Sequence, residues 1–316
     1  VSGNKVHDNA SGGLVSSGNA LLVGNEVYSH LGSGDRGIQV TSSAIARDNF
    51  VHHNYDGIYA GSSGTADHNE VYFNTRYGID LWSGIARGNR VYSNSIGINQ
   101  QYYSVAENNV VYANTNVGIQ IGSQANTQYT RNNTIYQPVG DAVLVQSGAT
   151  NTVLHNNIIQ VNAGYAINLA SGASLVQSDY NLFWTPQAGA RVGLYAGVQQ
   201  NTLADWRSAS GKDAASKYGD PMFLDIDGAD NILGERELVA GNGFDDNFGL
   251  RANSAAIDAG NMYFATATDI DGMERRDDPS TANTGDGLPL YVPSAQPFTS
   301  FPITGTKLNY RTGDNA

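Results

Sequence analysis

Asn69-Glu70-Val71-Tyr72 and, twenty residues on, Asn89-Arg90-Val91-Tyr92 are two statements of one recurring phrase. The asparagine returns at Asn4, Asn25, Asn49, Asn69, Asn89, Asn109, Asn133, Asn157 and Asn181, at intervals of about 20 to 24 residues. An apolar side chain follows two places later each time: Val6, Val27, Val51, Val71, Val91, Val111, Ile135, Ile159 and Phe183. A second beat, glycine then isoleucine, falls at Gly37-Ile38, Gly57-Ile58, Gly78-Ile79, Gly97-Ile98 and Gly118-Ile119. Repeats of this length, made of short apolar pieces and Gly, Asn and Ser corners, are the mark of a solenoid. No stretch carries a long apolar stripe of helical period, so the coils are predicted to be strands. The chain reads as an all-β parallel β-helix with one repeat to a coil.

Stacking explains the composition. Each coil buries its Val, Ile and Leu only against the coils above and below, so stability is close to a sum of neighbour terms. Coils lie about 4.8 Å apart, the distance between paired strands. An asparagine repeated at one position of every coil can bond its amide to the amides on either side. It also tolerates the left-handed backbone of a sharp corner. The asparagine row is therefore architectural.

At 316 residues the chain can bury a large core, since a solenoid grows along one axis. A net charge of -12 argues against nucleic acid or an anionic membrane as partner, because both need a basic face. It suits solubility and cation binding. The chain has no cysteine, which leaves the redox compartment unmarked. No apolar run approaches the roughly eighteen residues of a membrane span, and no signal peptide opens the sequence. Val1-Ser2-Gly3-Asn4 is already in phase with the repeat. An uncovered solenoid end exposes strand edges, so the sequence is expected to be part of a longer chain whose N-terminal cap lies upstream.

Coils are predicted for residues 1–184, near 20 residues each at first. They lengthen to 24 after Asn109, with extra residues at Gln124–Gln128 and Val139-Gly140. Residues 185–316 are expected to cap the stack and strap along its side. Within them, Arg191-Val192-Gly193-Leu194-Tyr195 reads as a strand. A helix is predicted over Leu203–Ala209, with Thr202 as N-cap and Gly211 just past its end.

The repeats resemble the right-handed parallel β-helix repeats of pectate-lyase-like proteins, mannuronan C5-epimerases and the carbohydrate-binding and sugar-hydrolysis group. Ser178-Asp179-Tyr180-Asn181-Leu182-Phe183, Asp220-Pro221-Met222-Phe223, Ala255-Ala256-Ile257-Asp258-Ala259-Gly260 and Thr268-Asp269-Ile270-Asp271-Gly272 look like the ending of large secreted bacterial β-helix proteins. The resemblance implies a right-handed coil and an extracellular or cell-surface address. It says little about a reaction.

In a stack of coils each repeat position becomes a row. The row two before each asparagine, Arg47, Asp67, Arg87, Glu107, Arg131, His155 and Asp179, alternates in sign through five coils and reads as an ion-pair ladder. The row after each core valine is His7, Tyr28, His52, Tyr72, Tyr92, Tyr112 and Tyr136. It suits sugar stacking, self-stacking or cover by the strap. The row two after each glycine is Gln39, Tyr59, Asp80, Asn99 and Gln120, with Gln146 and Asn168 as looser matches. Asp80 is the only charge among them. Arg76, Tyr77 and Trp82 surround it, with Gln101 and Tyr102 one coil on.

These residues make a candidate polysaccharide site: Asp80, Tyr77 and Arg76 for catalysis, and Tyr59, Trp82, Asn99, Gln101, Tyr102, Gln39 and Gln120 for substrate binding. Tyr77-Gly78-Ile79-Asp80 resembles the Tyr-Gly-Phe-Asp start of the catalytic motif of mannuronan C5-epimerases. That motif continues with Pro and His, where this chain has Leu81 and Trp82. Uronate elimination or epimerisation needs a group to neutralise the carboxylate, a base and a proton donor. Glycoside hydrolysis needs two carboxylates. Asp56 is expected to pair with Arg36, which weakens the hydrolase reading. Asp225, Asp227 and Asp230 around Gly228 have spacing suited to calcium, with Glu235 or Glu237 as a further ligand. Asp269-Ile270-Asp271-Gly272 is a shorter match, with Arg275-Arg276 to neutralise it. The expected function is an extracellular β-helix that binds an acidic polysaccharide along a lateral groove, with lyase or epimerase chemistry as its catalytic form. The alternative is a non-catalytic stalk or adhesion module.

Overall fold

A computed structural model describes residues 1–123, 126–234, 242–275, 278 and 281–286. Three sheets run along the coil axis, two of 10 strands and one of 8, parallel throughout except for the last strand of the second, Val198–Gln200, which turns back antiparallel. The first carries the Asn-x-Val-Tyr phrase, and its valines align from coil to coil: Val51 with Val71, and Val71 with Val91. The second carries the Gly-Ile beat, with Ile58, Ile79 and Ile98 in register. The third is built from triplets such as Ile85-Ala86-Arg87, with Ala66, Ala86 and Ala106 in register. Valines, isoleucines and alanines from the three walls fill one continuous, fully buried core.

The asparagine row is a ladder. Asn89 donates its backbone N–H and its Nδ2 to Oδ1 of Asn109, at 3.0 and 2.9 Å. Its Nδ2 also reaches the carbonyl of Ala66 at 3.0 Å. The pattern runs from Asn4 to Asn181, where Ser216 Oγ accepts the last backbone N–H. A second ladder, not singled out in the sequence, stands at the corner between the first and second sheets. It consists of His30, Asn54, Asn74, Asn94, Asn114 and Gln137. This ladder explains the glycine beat. A Cβ on Gly57 would sit 2.3 Å from the carbonyl oxygen of Gly78, 2.8 Å from Val71 Cγ1 and 2.9 Å from Asn74 Nδ2. Gly57→Ala is therefore expected to destabilise the stack by about 1–3 kcal/mol, read from the urea midpoint, since the corner cannot give way without breaking the ladder.

The coils continue beyond Trp184. Gly189–Tyr195 pairs parallel with Ala163–Leu169, and Lys217–Tyr218 extends the first sheet. The predicted helix spans Leu203–Ser210, with a capping box between Thr202 and Asp205 and a left-handed Gly211. Its Trp206 is fully buried and closes the end of the core. A Cβ on Gly193 would lie 2.3 Å from the Trp206 ring. The remaining tail lies along the side of the stack. Phe248 packs on Tyr112 and Tyr136, and Phe244 on Tyr72. Amides of the turn residues Asn132 and Asn156 hold the backbone carbonyls of Phe264 and Asn261, at 2.5 and 2.8 Å. Among the described residues no helix is long and apolar enough to cross a membrane.

Candidate functional site

The strand Tyr77–Trp82 places Ile79 and Leu81 in the core, which turns Asp80 and Trp82 to the outside. Register then fixes the outward rows of the second sheet. Asp80 stands between Tyr59 and Asn99, and Trp82 between Gly61 and Gln101. Gln39 aligns with Tyr59, and Gln120 with Asn99. The row continues through Leu144 rather than Gln146, because Gln120 faces Leu144, and then reaches Asn168. In that coil Ala142 takes the register position of Gly118, so a count from the glycine has no anchor there.

The floor of this face is a chain of side-chain hydrogen bonds. Asn99 Nδ2 donates to Asp80 Oδ1 at 2.7 Å, and Gln120 Nε2 donates to Asn99 Oδ1 at 3.0 Å. Asp80 keeps only 9% of its surface exposed. Burial pushes its carboxyl above the usual carboxylate range, against the Asn99 amide, which favours the ionised form. Burial also raises the Tyr77 and Tyr59 phenols, so neither is poised to act as a base near neutral pH.

The arginines are engaged. Arg76 grips both oxygens of Asp56, Nε to Oδ1 at 2.8 Å and Nη2 to Oδ2 at 2.5 Å, and its guanidinium lies over Tyr77 and Tyr55. Asp56 thus pairs with Arg76 and not with Arg36. Arg36 instead lies 3.6 Å above the Tyr59 ring and donates Nη1 to Gln39 Oε1 at 2.7 Å. The cation assigned to substrate carboxylates is already held by a buried acid.

At one edge of the face stands an aromatic rim. The Trp82 and Tyr102 rings are 4.3 Å apart between centroids. Trp82 is 44% exposed, and Tyr103, which the row reading passed over, is 66% exposed. The Tyr102-Tyr103 doublet was its visible signal. Gln101 lies beside the rim, and its amide lies against Gly122, where a Cβ would fall 2.1 Å from Nε2.

The other rows are structural. His7, Tyr28, His52, Tyr72, Tyr92 and Tyr112 stack successively at 4.8–5.2 Å, and the tail covers the later rings. Arg47 and Arg87 both bind Asp67, at 2.5 and 3.2 Å, and Arg131 binds Glu107 at 2.8 Å. A cavity of about 500 Å³ lies between this charged row and Thr266, Thr268 and Asp269 of the tail. Asp225, Asp227 and Asp230 lie in the tail's first loop, where Asp245 accepts the backbone N–H of Ala229 at 2.7 Å and that of Asp230 at 3.3 Å. Among the described residues no group of three or more His, Cys, Asp or Glu side chains gathers as metal ligands. Glu235, Glu237 and Arg276 lie outside the described residues.

Comparison with known proteins agrees with this architecture. The family model described as right handed beta helix region matches residues 1–96 and 84–183. No curated protein is similar to the chain in sequence. The crystal structure of pectate lyase Pel9A is similar in fold, with a TM-score of 0.51 at 12% identity, over 86% of this chain and 88% of that one. The matched family covers more than half of the sequence, and the repeats it describes are the coils seen here: the chain belongs to the right-handed β-helix family.

Proposed function

We propose that this β-helix holds a polysaccharide along the outward face of its second sheet, outside the cell or at its surface. The observation that carries this reading is the rim of exposed Trp82 and Tyr103 and half-buried Tyr102 beside a row of amides. Aromatic faces stack on the apolar C–H faces of sugar rings, while neighbouring amides and phenols exchange hydrogen bonds with hydroxyls. The long parallel sheet offers the same rows to successive sugars, which favours a polymer over a single sugar.

Holding is favoured over cleavage. Arg76 is committed to Asp56, Asp80 is nearly covered, and the tyrosines are pushed away from base strength. The elimination or epimerisation reading rests on Asp80, whose raised pKa in a sugar-facing position suits a proton donor. Incubation with polygalacturonate and alginate distinguishes the two: a binding module leaves the ultraviolet absorbance and the uronate stereochemistry unchanged. For binding itself, affinity electrophoresis through gels loaded with individual polysaccharides is expected to retard the protein in at least one. Trp82→Ala is expected to weaken that retardation about tenfold or more, equivalent to about 1.4 kcal/mol. Equal retardation of Trp82→Ala and the parent protein would remove this face from the proposal.

A further inference from the structure

We infer that the polymer held by the second sheet is a neutral glycan and not a uronate. This rests on the reading that the face binds a polysaccharide, and it turns on where the cations have gone. Among the described residues two arginines approach the rim and the amide row. Arg76 spends Nε and Nη2 on Asp56, and Arg36 is laid over Tyr59 with Nη1 on Gln39. Against them stand Asp56 and Asp80, so the face has no net positive charge.

Farther along the same sheet the next charge is Asp141, which accepts hydrogen bonds from Asn168 Nδ2 at 2.7 Å and from the Tyr165 backbone at 2.9 Å. Beyond it, Arg191 turns Nη1 back onto the carbonyls of Ala188 and Ala190, at 2.6 and 2.7 Å. Among the described residues no lysine lies in a strand of this sheet.

A uronate polymer brings a carboxylate with every sugar, and the one guanidinium here that no acid holds, Arg36, is laid over Tyr59, so carboxylates drawn onto the rest of the face are desolvated unpaired. The approach is opposed as well, because the chain carries a net charge of -12. A neutral glycan meets neither penalty. Its hydroxyls need donors and acceptors of no net charge, and the half-buried Gln39, Tyr59 and Gln101 supply them beside the stacking rings, over the buried Asn99 and Gln120.

The test is affinity electrophoresis and calorimetry of the intact chain with galactan, mannan, xylan and mixed-linkage glucan, and with polygalacturonate and alginate. Each is run at ionic strengths of about 0.01 M and 0.15 M. At least one neutral polymer is expected to bind with an affinity that changes less than about twofold between the two salts, because no ion pairs are screened. Trp82→Ala is expected to reduce that affinity about tenfold, and Trp82→Tyr to restore most of it. The uronates are expected to bind at neither ionic strength. Preferential retention of polygalacturonate or alginate, weakened by salt, overturns the inference but leaves the binding face standing. Retention of no polymer at all overturns both.

Discussion

Asn89→Ala is expected to destabilise the solenoid by about 3–5 kcal/mol, far more than the loss of one side chain from a loop. The substitution removes an acceptor that satisfies two buried donors, the backbone N–H and the Nδ2 of Asn69, at 2.9 and 3.0 Å. It also removes the donor to the Ala66 carbonyl and one of the two donors to Asn109 Oδ1. Each buried group left unsatisfied costs about 1–3 kcal/mol, and the tight corner leaves little room for water. Because coils are stabilised mainly by their neighbours, damage in the middle of the stack should also divide it into halves that melt separately. The comparison is Asn4→Ala at the open edge, where the exposed Asn4 side chain only donates, to Asn25 Oδ1 and the Ser2 carbonyl. That variant should cost less than about 1 kcal/mol. Urea unfolding of the two variants decides the matter: equal midpoints would mean that the ladder decorates the stack and does not hold it together.

The ladder was legible because its cause is local and periodic. An asparagine at a corner must recur wherever the coil recurs, so spacing alone exposed it, and the core valines and isoleucines followed from it. The second ladder was equally periodic, with Asn54, Asn74, Asn94 and Asn114 twenty residues apart. Its meaning depended on a corner visible only once the glycines opposite it were seen to leave room for the amides. The aromatic row shows the limit of this kind of reading. From sequence, Tyr72, Tyr92 and Tyr112 were equally good sugar platforms and strap supports. Only the long-range contacts of Phe244 and Phe248, well over a hundred residues downstream, put them under the strap.

The candidate site was legible in position and illegible in pairing. The rows placed Asp80, Asn99 and Gln120 side by side, as the register has them. Whether Asp56 would take Arg36 or Arg76 could not be read from the rows. Arg36 is its cross-strand neighbour, yet Arg36 stacks on Tyr59 and Arg76 reaches back from the following coil. Long flexible side chains choose partners by packing as well as by proximity in a ladder, and that choice decides which guanidinium meets the acid and which lies over the Tyr59 ring.

The tail's seat on the stack carries the other large expected effect, and it depends on pH. Where residues 242–250 dock, Arg90 stands between two carboxylates. Its Nε is 3.4 Å from Glu70 Oε1, and its Nη2 donates to the Asp246 backbone carbonyl. Asp246 accepts the backbone N–H of Gly234 at 2.7 Å, and Tyr112 donates its hydroxyl to the Gly243 carbonyl at 2.9 Å. Burial pushes Glu70 up to about 7, with Arg90 opposing the rise. Burial likewise pushes Asp246 up to about 6, opposed by the Gly234 N–H. Both acids hold their protons more tightly folded than unfolded. Their contribution is therefore fully present below about pH 4 and is lost as pH rises through 6 to 7. His52 works the other way, since burial lowers it to about 4 and a neutral buried imidazole costs stability as pH falls below 6.5. A wild-type profile mixes these trends, but the difference between wild type and Glu70→Gln separates them, because His52 is common to both. That difference should be small at pH 4 and grow with pH, the variant being more stable by up to about 3 kcal/mol at pH 8, about 1.36 kcal/mol for each unit of raised pKa. Arg90→Met should do the reverse at pH 8, costing about 3–5 kcal/mol by leaving both carboxylates without their cation, and should cost less at pH 5. Thermal melts of the three proteins across this range test the seat directly. A Glu70→Gln difference that stays flat with pH would mean that water reaches the Glu70 carboxylate, and a seat open to water cannot be what fixes the tail to the stack.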